Sequence, residues 1–181
     1  MAHALSFSAI NVMTPVGLLF LQSSPDGLRR SAFLGSTGDL PSEDLFSAHP
    51  EAPLLKQAVE QLREYFHGTR QSFSLPLDLS GLPEFQTRVL LACAEIPWGN
   101  TLSYAQLAES IDSPKASRAV GSVLARNPLL LFFPCHRVIG SDGALRGFAA
   151  PEGIRTKAWL LRHEGLLVEN GRITSPKGDH P

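Results

Sequence analysis

Short apolar runs alternate with turn signals through the first third of the chain. The runs cover Leu5–Ile10, Val16–Leu21 and Leu28–Leu34, and the turns between them contain Thr14-Pro15 and Ser24–Gly27. Apolar runs of this length, bounded by Gly, Pro and Asp, are typical of β-strands. The pattern therefore predicts a small antiparallel sheet.

A helical pattern follows the sheet. Apolar residues recur every three or four positions over Leu54–Phe66, and Gly68 is placed to end the helix. The proline-bearing segment Leu75–Pro83 is typical of a strand end followed by a linker. We therefore place a domain boundary near Ser80.

The second half predicts helices with recognisable ends. They cover, in order, residues 83–94, 104–111, 113–126 and 154–164. Ser103 with Gln106 forms a capping box for the second helix, and Gly165 ends the last one. Leu166–Ile173, with its Asn170-Gly171 turn, predicts a hairpin. The second and third helices form a helix-turn-helix pattern, although an ordinary helical hairpin is the commoner structure with such a pattern.

These elements predict an α/β (α+β) protein with two domains and a tail. The N-terminal domain covers residues 1–80, the C-terminal domain covers 81–175, and a flexible tail covers 176–181.

Composition narrows the class of protein. The chain has 181 residues, of which 43% are hydrophobic and 18% charged, so it can bury a core. The apolar runs are too short to cross a bilayer and the N-terminus lacks the order of a secretory signal, so we expect a cytoplasmic protein that does not bind membranes. Only Cys93 and Cys135 occur, and no cysteine or histidine pair has ligand spacing. We therefore expect neither a disulfide framework nor a metal or other cofactor.

Charge is distributed unevenly, although the net charge is only −1. Residues 1–114 carry six basic and twelve acidic side chains, whereas residues 115–172 carry nine basic and four acidic ones. The basic part fits a surface that binds phosphates, and it fits a merely solvated face as well.

The segment Pro134–Val138 places Cys135 beside His136, directly after the apolar run Leu129–Phe133. A thiolate attacks and a thiol does not, so a cysteine next to a proton acceptor is a candidate nucleophile. A small buried hydrophobic residue is the alternative reading of Cys135.

Five motifs in order resemble the O6-alkylguanine-DNA alkyltransferases. They are Ile96–Gly99 with Tyr104, Arg118–Gly121, Asn127-Pro128, Pro134–Gly140 and Trp159–Gly165. The resemblance is dense from Phe85 to Leu167 and looser towards the N-terminus. It implies a ribonuclease-H-like N-terminal sheet with a helix, and a mostly helical, winged-helix-like C-terminal domain that contains the helix-turn-helix.

The resemblance also implies a reaction. The family transfers an alkyl group irreversibly, once per chain, from O6 of guanine (less efficiently O4 of thymine) in double-stranded DNA to its own cysteine, here Cys135. His136 would take the thiol proton through a water, and Glu164 would accept a hydrogen bond from the imidazole. Tyr104 would donate to the leaving O6, and Asn127 would be a hinge that holds the cysteine loop.

Binding residues follow from the same resemblance. Arg118 would enter the minor groove and fill the gap left by a flipped-out nucleotide. The other implied DNA-binding residues are Lys115, Ser117, Ala119, Gly121 and Arg126. The implied pocket residues are Trp98, Pro134, Val138, Phe148 and Ala149. The family often has a tyrosine where Phe148 stands and a glycine pair where Ala150-Pro151 stands. The resemblance therefore does not determine the width of the pocket. No cofactor is implied, and the protein is expected to act as a monomer.

Three other functions remain open from the sequence. A non-catalytic reader of alkylated DNA would need no Cys135, a thiol hydrolase would use Cys135, His136 and Glu164 repeatedly, and a DNA-binding regulator would carry the cysteine incidentally.

Overall fold

Two units make up the chain in a computed structural model that describes residues 7–35 and 52–174. The first unit runs to Leu82 and includes Pro128–Phe132, and the second contains Pro83–Asn127 and everything from Phe133 onwards. The chain therefore returns to the first unit for five residues just before the Cys135 segment. The predicted tail, residues 176–181, and the start of the first predicted strand lie outside the described residues.

The first unit contains the predicted antiparallel sheet, in the order β1-β2-β3. The three strands are β1 Ser8–Thr14, β2 Gly17–Ser24 and β3 Gly27–Phe33. Strand β1 extends beyond the predicted end at Ile10, because Asn11, Val12 and Met13 continue the pairing with β2. Gly27 is required where it stands, since a Cβ there would lie 2.7 Å from Asp78 N and Pro76 O.

One helix completes the first unit, as the apolar spacing predicts. Helix α1 covers Pro53–Phe66 and buries Leu55, Ala58, Leu62 and Tyr65. It packs against β1 and β2, so one face of the sheet is covered by the apolar stripe of the helix.

Residues distant in sequence pair with the edge of β3 that does not pair with β2. Leu28 forms a parallel bridge with Leu77, and Ser31 forms one with Leu129. The buried carboxylate of Asp78 accepts hydrogen bonds from Ser24 Oγ (2.7 Å) and Arg29 Nη1 (2.7 Å). Through these long-range contacts, the segment around Leu77 and Asp78 and the segment Pro128–Phe132 pack against the sheet.

The second unit is mostly helical, which confirms the predicted fold class. Its helices are α2 Glu84–Ala94, α3 Tyr104–Ser110, α4 Ser117–Ala125 and α5 Ile154–His163. The capping box at Ser103 and Gln106 is present in both directions. Helix α4 begins at Ser117 and not at Ser113, because Ser113–Ala116 forms a turn that the Ala116 N–H closes onto Ser113 O (2.8 Å).

Short strands complete the second unit. Strand β4, Leu102–Ser103, pairs in parallel with β5, Val138–Ile139. This pairing, which the sequence did not predict, joins the start of α3 to the residues after Cys135–Arg137. The predicted hairpin is present as β6 Val168–Glu169 and β7 Arg172–Ile173. Throughout residues 7–35 and 52–174, no helix has the length and apolar character needed to span a bilayer.

Candidate active site

Cys135 opens a single turn of 3-10 helix, Cys135–Arg137, that leads directly into β5. Its N–H donates to Phe133 O (2.8 Å), and the Arg137 N–H donates to Pro134 O (2.8 Å). Although Cys135 is only 5% exposed, it lines a cavity of about 330 Å³. The tight turn thus presents the sulfur to a space large enough for a small ligand.

Asn127 holds this turn from the end of α4. Its Nδ2 donates to Phe133 O (2.9 Å) and to Cys135 Sγ (3.3 Å). The resemblance implied only that Asn127 holds the cysteine loop, and the contact with the sulfur was not predicted. One amide therefore fixes both the turn and the orientation of the candidate nucleophile.

A buried carboxylate lies behind the turn. Glu164 Oε1 and His136 Nε2 are 2.8 Å apart, and Arg137 donates to the same carboxylate through Nε (2.8 Å) and Nη2 (3.0 Å). Arg137 also donates to Ile96 O (2.5 Å). Burial alone would raise the pKa of Glu164, but the charges and hydrogen bonds of His136 and Arg137 lower it to about 2. Glu164 is therefore ionised, and its ion pair with Arg137 is bidentate.

The imidazole of His136 has one ring nitrogen bonded to Glu164 and the other without a partner among the described residues. Burial lowers the pKa of His136 despite the nearby Glu164, so the ring is neutral at pH 7. A neutral ring that gives its Nε2–H to Glu164 keeps Nδ1 as an acceptor. Among the described residues, this buried Nδ1 has no hydrogen-bond partner. It is available to receive a proton.

The thiol itself is held in its protonated form. Burial raises the pKa of Cys135, against the hydrogen bond from Asn127 and the charge of Lys157. A nucleophile with a raised pKa needs a base to remove its proton. The neighbouring His136, whose Nδ1 has no hydrogen-bond partner among the described residues, is a candidate for that base.

Tyr104 and Phe148 form other parts of the cavity wall. The residues lining the cavity are Tyr104, Gly121, Leu124, Ala125, Cys135, Gly147, Phe148 and Ala149. Burial raises the pKa of Tyr104, so its O–H remains available to donate near neutral pH. The Phe148 ring stands edge-on to His136 with 6.4 Å between the centroids. The cavity thus combines a donor hydroxyl with an aromatic wall beside the thiol.

Three predicted pocket residues are not in that lining. Pro134 precedes the turn, and Val138 is fully buried in β5. Trp98 packs edge-on against His163, with 5.4 Å between ring centroids. Tertiary packing places these side chains in or beside the core, so only Phe148 and Ala149 of the five predicted pocket residues line the cavity.

Helix α4 connects the cavity with an exposed basic face. Gly121 and Ala125 line the cavity, and Arg118 lies one turn before Gly121 on the same side of the helix. Arg118 is exposed, and its guanidinium has no hydrogen bond or ion pair with any residue of the described chain. The remaining predicted DNA-binding residues also belong to this helix or flank it: Lys115, Ser117, Ala119 and Arg126.

Two charged residues of the site were not singled out from the sequence. Arg137 donates to the carboxylate of Glu164 at two points. Lys157 is completely buried and donates from Nζ to Val138 O (2.6 Å). The helical spacing of the sequence could have identified Lys157, because this residue lies on the same inward face as Leu160, Leu161 and Glu164. A lysine at a position of a helix that is otherwise apolar is rarely buried without a function, so it indicates a candidate functional residue.

Within residues 7–35 and 52–174, no three His, Cys, Asp or Glu side chains are grouped so that they could hold a metal ion.

Two sequence profiles of one protein family match the chain. The profile described as "6-O-methylguanine DNA methyltransferase, ribonuclease-like domain" matches residues 10–79. The profile described as "6-O-methylguanine DNA methyltransferase, DNA binding domain" matches residues 84–166. Together they span both structural units.

Individual relatives are similar over most of their length. The constitutive methylated-DNA--protein-cysteine methyltransferase of Bacillus subtilis is 43% identical over 155 residues, which cover 84% of this chain and 92% of the relative. The crystal structure of Mycobacterium tuberculosis O6-methylguanine methyltransferase has a TM-score of 0.77 and 38% identity, over 88% of this chain and 93% of that one. A structure of Mycobacterium tuberculosis OGT in complex with DNA has the same TM-score and identity, over 87% and 93%.

Proposed function

Since this chain belongs to the 6-O-methylguanine DNA methyltransferase family, we propose that Cys135 is the residue that accepts the alkyl group from O6 of guanine in DNA. Membership gives the enzyme class, a methylated-DNA–protein-cysteine methyltransferase that acts on alkylated DNA. The observation that carries the proposal is the position of Cys135, on the wall of a cavity that Tyr104 also lines, with His136 next in the chain.

Proton removal comes first in the proposed reaction. The thiol proton passes to Nδ1 of His136, directly or through a water, and the imidazolium that forms is stabilised by the ionised Glu164 (2.8 Å). Arg137 keeps Glu164 ionised and in place through its two hydrogen bonds. Asn127 orients the sulfur by donating to it (3.3 Å).

Transfer then occurs in one displacement. The sulfur electron pair forms a bond to the alkyl carbon while the carbon–O6 bond breaks, and its electron pair stays on the guanine. The Tyr104 O–H donates to the O6 that leaves, which stabilises the developing anion. The proton on His136 returns to solvent or to the base, so charges balance.

The product explains why each chain would react once. A thioether carries no leaving group that water could displace, so the alkyl group would remain on Cys135. All groups named in this reaction come from one chain, and a monomer would suffice for it.

Access to the lesion requires the nucleotide to leave the stack, because O6 of guanine lies inside the duplex. We assign Arg118 to the gap in the stack, entered through the minor groove. Support comes from its exposed guanidinium and from its place on the side of α4 that lines the cavity. The small residues Ala119 and Gly121 permit close approach of α4 to the groove, and Lys115, Ser117 and Arg126 lie where phosphates would pass.

Intact mass spectrometry tests the proposal with a control that the chain itself provides. After incubation with duplex DNA containing O6-methylguanine, the protein and its Cys93→Ser variant should each gain one methyl group. Cys135→Ser should gain none. Cys93 is the matched control because it is the only other cysteine and is equally buried. Methylation of Cys135→Ser, or repeated turnover without an adduct, would refute the proposal.

A further inference from the structure

Ser31 holds the chain segment that leads into the Cys135 turn. In the first unit, its N–H donates to Pro128 O (2.8 Å), its carbonyl accepts from Leu130 N–H (3.2 Å), and its Oγ donates to Leu130 O (2.6 Å). Ser31 is only 1% exposed, so none of these bonds competes with solvent. One serine therefore makes three buried hydrogen bonds to two residues of this segment, Pro128 and Leu130.

The residue after Leu130 has a strained backbone. Leu131 has a φ of 75°, in the left-handed region where a residue with a Cβ is disfavoured. Such a conformation persists only where the surroundings hold it, and it is typical of functional sites. The peptide plane that sets this φ is the one that carries the Leu130 carbonyl. If that plane were free, it could rotate and let Leu131 relax.

The strained residue is followed closely by the proposed nucleophile. Phe132 packs on Phe73 with 4.6 Å between the ring centroids, and it is the last residue of the segment that belongs to the first unit. The next carbonyl, Phe133 O, accepts from both Asn127 Nδ2 and the Cys135 N–H. A change in the path of the chain at Leu131 is therefore passed along two residues to the bonds that orient Cys135.

We infer that Ser31 is a positioning residue for alkyl transfer: its hydroxyl locks the Leu130 peptide, holds Leu131 in the left-handed conformation and so sets the path of the chain into the Cys135 turn. The inference rests on the proposed function of Cys135. Ser31 touches neither substrate nor sulfur, and it acts only through the continuous chain from Leu130 to Cys135.

The test compares two buried serines of the same sheet. Ser31→Ala removes the hydroxyl that binds Leu130, whereas Ser24→Ala removes a hydroxyl that binds Asp78 at 2.7 Å and leaves the segment before Cys135 untouched. The rate of alkyl transfer from free O6-benzylguanine is followed by intact mass. Losing a buried hydroxyl partner should slow transfer roughly fivefold or more in Ser31→Ala, and Ser24→Ala should stay within about twofold of the parent.

A pH profile separates positioning from general stability. The rate at which iodoacetamide alkylates Cys135 is measured as a function of pH. In Ser31→Ala this pH profile should shift to higher pH, because the hydrogen bond from Asn127 that favours the thiolate is weakened. It should not shift in Ser24→Ala. Equal transfer rates and equal profiles in the two alanine variants would overturn the inference.

Two further variants keep the test valid if Ser31→Ala does not fold. Ser31→Thr and Ser31→Val have the same shape and differ in the hydroxyl, so Ser31→Thr should transfer at nearly the parent rate and Ser31→Val should be slow. Equal rates for this pair would also overturn the inference. A parent protein that never gains an alkyl group would instead defeat the proposed function.

Discussion

Glu164→Gln tests the buried carboxylate on which the proposed base depends. The substitution keeps the size of the side chain and removes its charge, so Arg137 is left as a buried cation without its partner and His136 loses an ionised acceptor. Removing one member of a buried ion pair costs about 3–5 kcal/mol. The pKa of Glu164, lowered from 4.5 to about 2, gives a compatible figure of about 3 kcal/mol.

The pH dependence has a definite sign. A carboxylate with a lowered pKa stabilises the fold fully above its ordinary value of 4.5 and loses that contribution as the pH falls towards about 2. Glutamine does not titrate. The difference in unfolding free energy between the parent and Glu164→Gln should therefore be largest at neutral pH and smaller by about 2 kcal/mol at pH 3.

Urea unfolding followed by tryptophan fluorescence measures this difference. Trp98 and Trp159 are the only tryptophans and both belong to the second unit, so their emission reports on the unit that contains Glu164. Glu109→Gln, at an exposed carboxylate of α3, is the control and should change stability by less than about 0.5 kcal/mol. Transfer to Cys135 should also slow at least about tenfold in Glu164→Gln. A stability difference that stays constant from pH 6 to pH 3 would refute the role assigned to this carboxylate.

Three further predictions concern groups in different parts of the molecule. Arg118→Ala should slow repair of duplex DNA far more than reaction with free O6-benzylguanine, and equal losses on both substrates would exclude a role in base flipping. Lys157→Met removes a buried cation whose charge lowers the pKa of Cys135, so the pH profile of iodoacetamide alkylation should shift to higher pH, and an unchanged profile would contradict this. Asp78→Asn should destabilise the first unit most at pH 7 and less as the pH falls below 3.8, the ordinary pKa of this carboxyl, since hydrogen bonds from Ser24 and others lower the pKa of Asp78. Unfolding followed by circular dichroism at pH 7 and at about pH 2 measures this, and equal effects at the two pH values would count against it.

Local patterns were sufficient for most of the fold. The alternation in the first third predicted the three strands, and Ser103 with Gln106 predicted the start of α3, because a capping box depends only on neighbouring residues. The Asn170-Gly171 turn predicted the last hairpin for the same reason. Helix α4 was predicted to begin four residues early, since Ser113-Pro114 is as compatible with a turn as with a helix start.

Contacts between residues far apart in the chain could not be predicted from local sequence patterns. The pairing of β4 with β5 and the bonds from Ser31 to the segment Pro128–Phe132 join residues far apart in the chain, and nothing local marks either. The same is true of Arg137, whose partner Glu164 lies in a different part of the sequence. The resemblance to a known family implied Cys135, His136, Glu164 and the hinge Asn127, but it gave no account of Arg137 or Ser31.

Counting transferred methyl groups tests the central claim most directly. The protein is mixed with a large excess of duplex DNA containing O6-methylguanine, and the methyl groups gained per chain are counted over time by intact mass, with peptide mapping to locate them. The account predicts that the count stops at one, on the sulfur of Cys135, while the excess lesion remains. A count that rises above one, continued loss of lesion from the DNA after the first methyl is transferred, or a methyl group located on any other residue would contradict it.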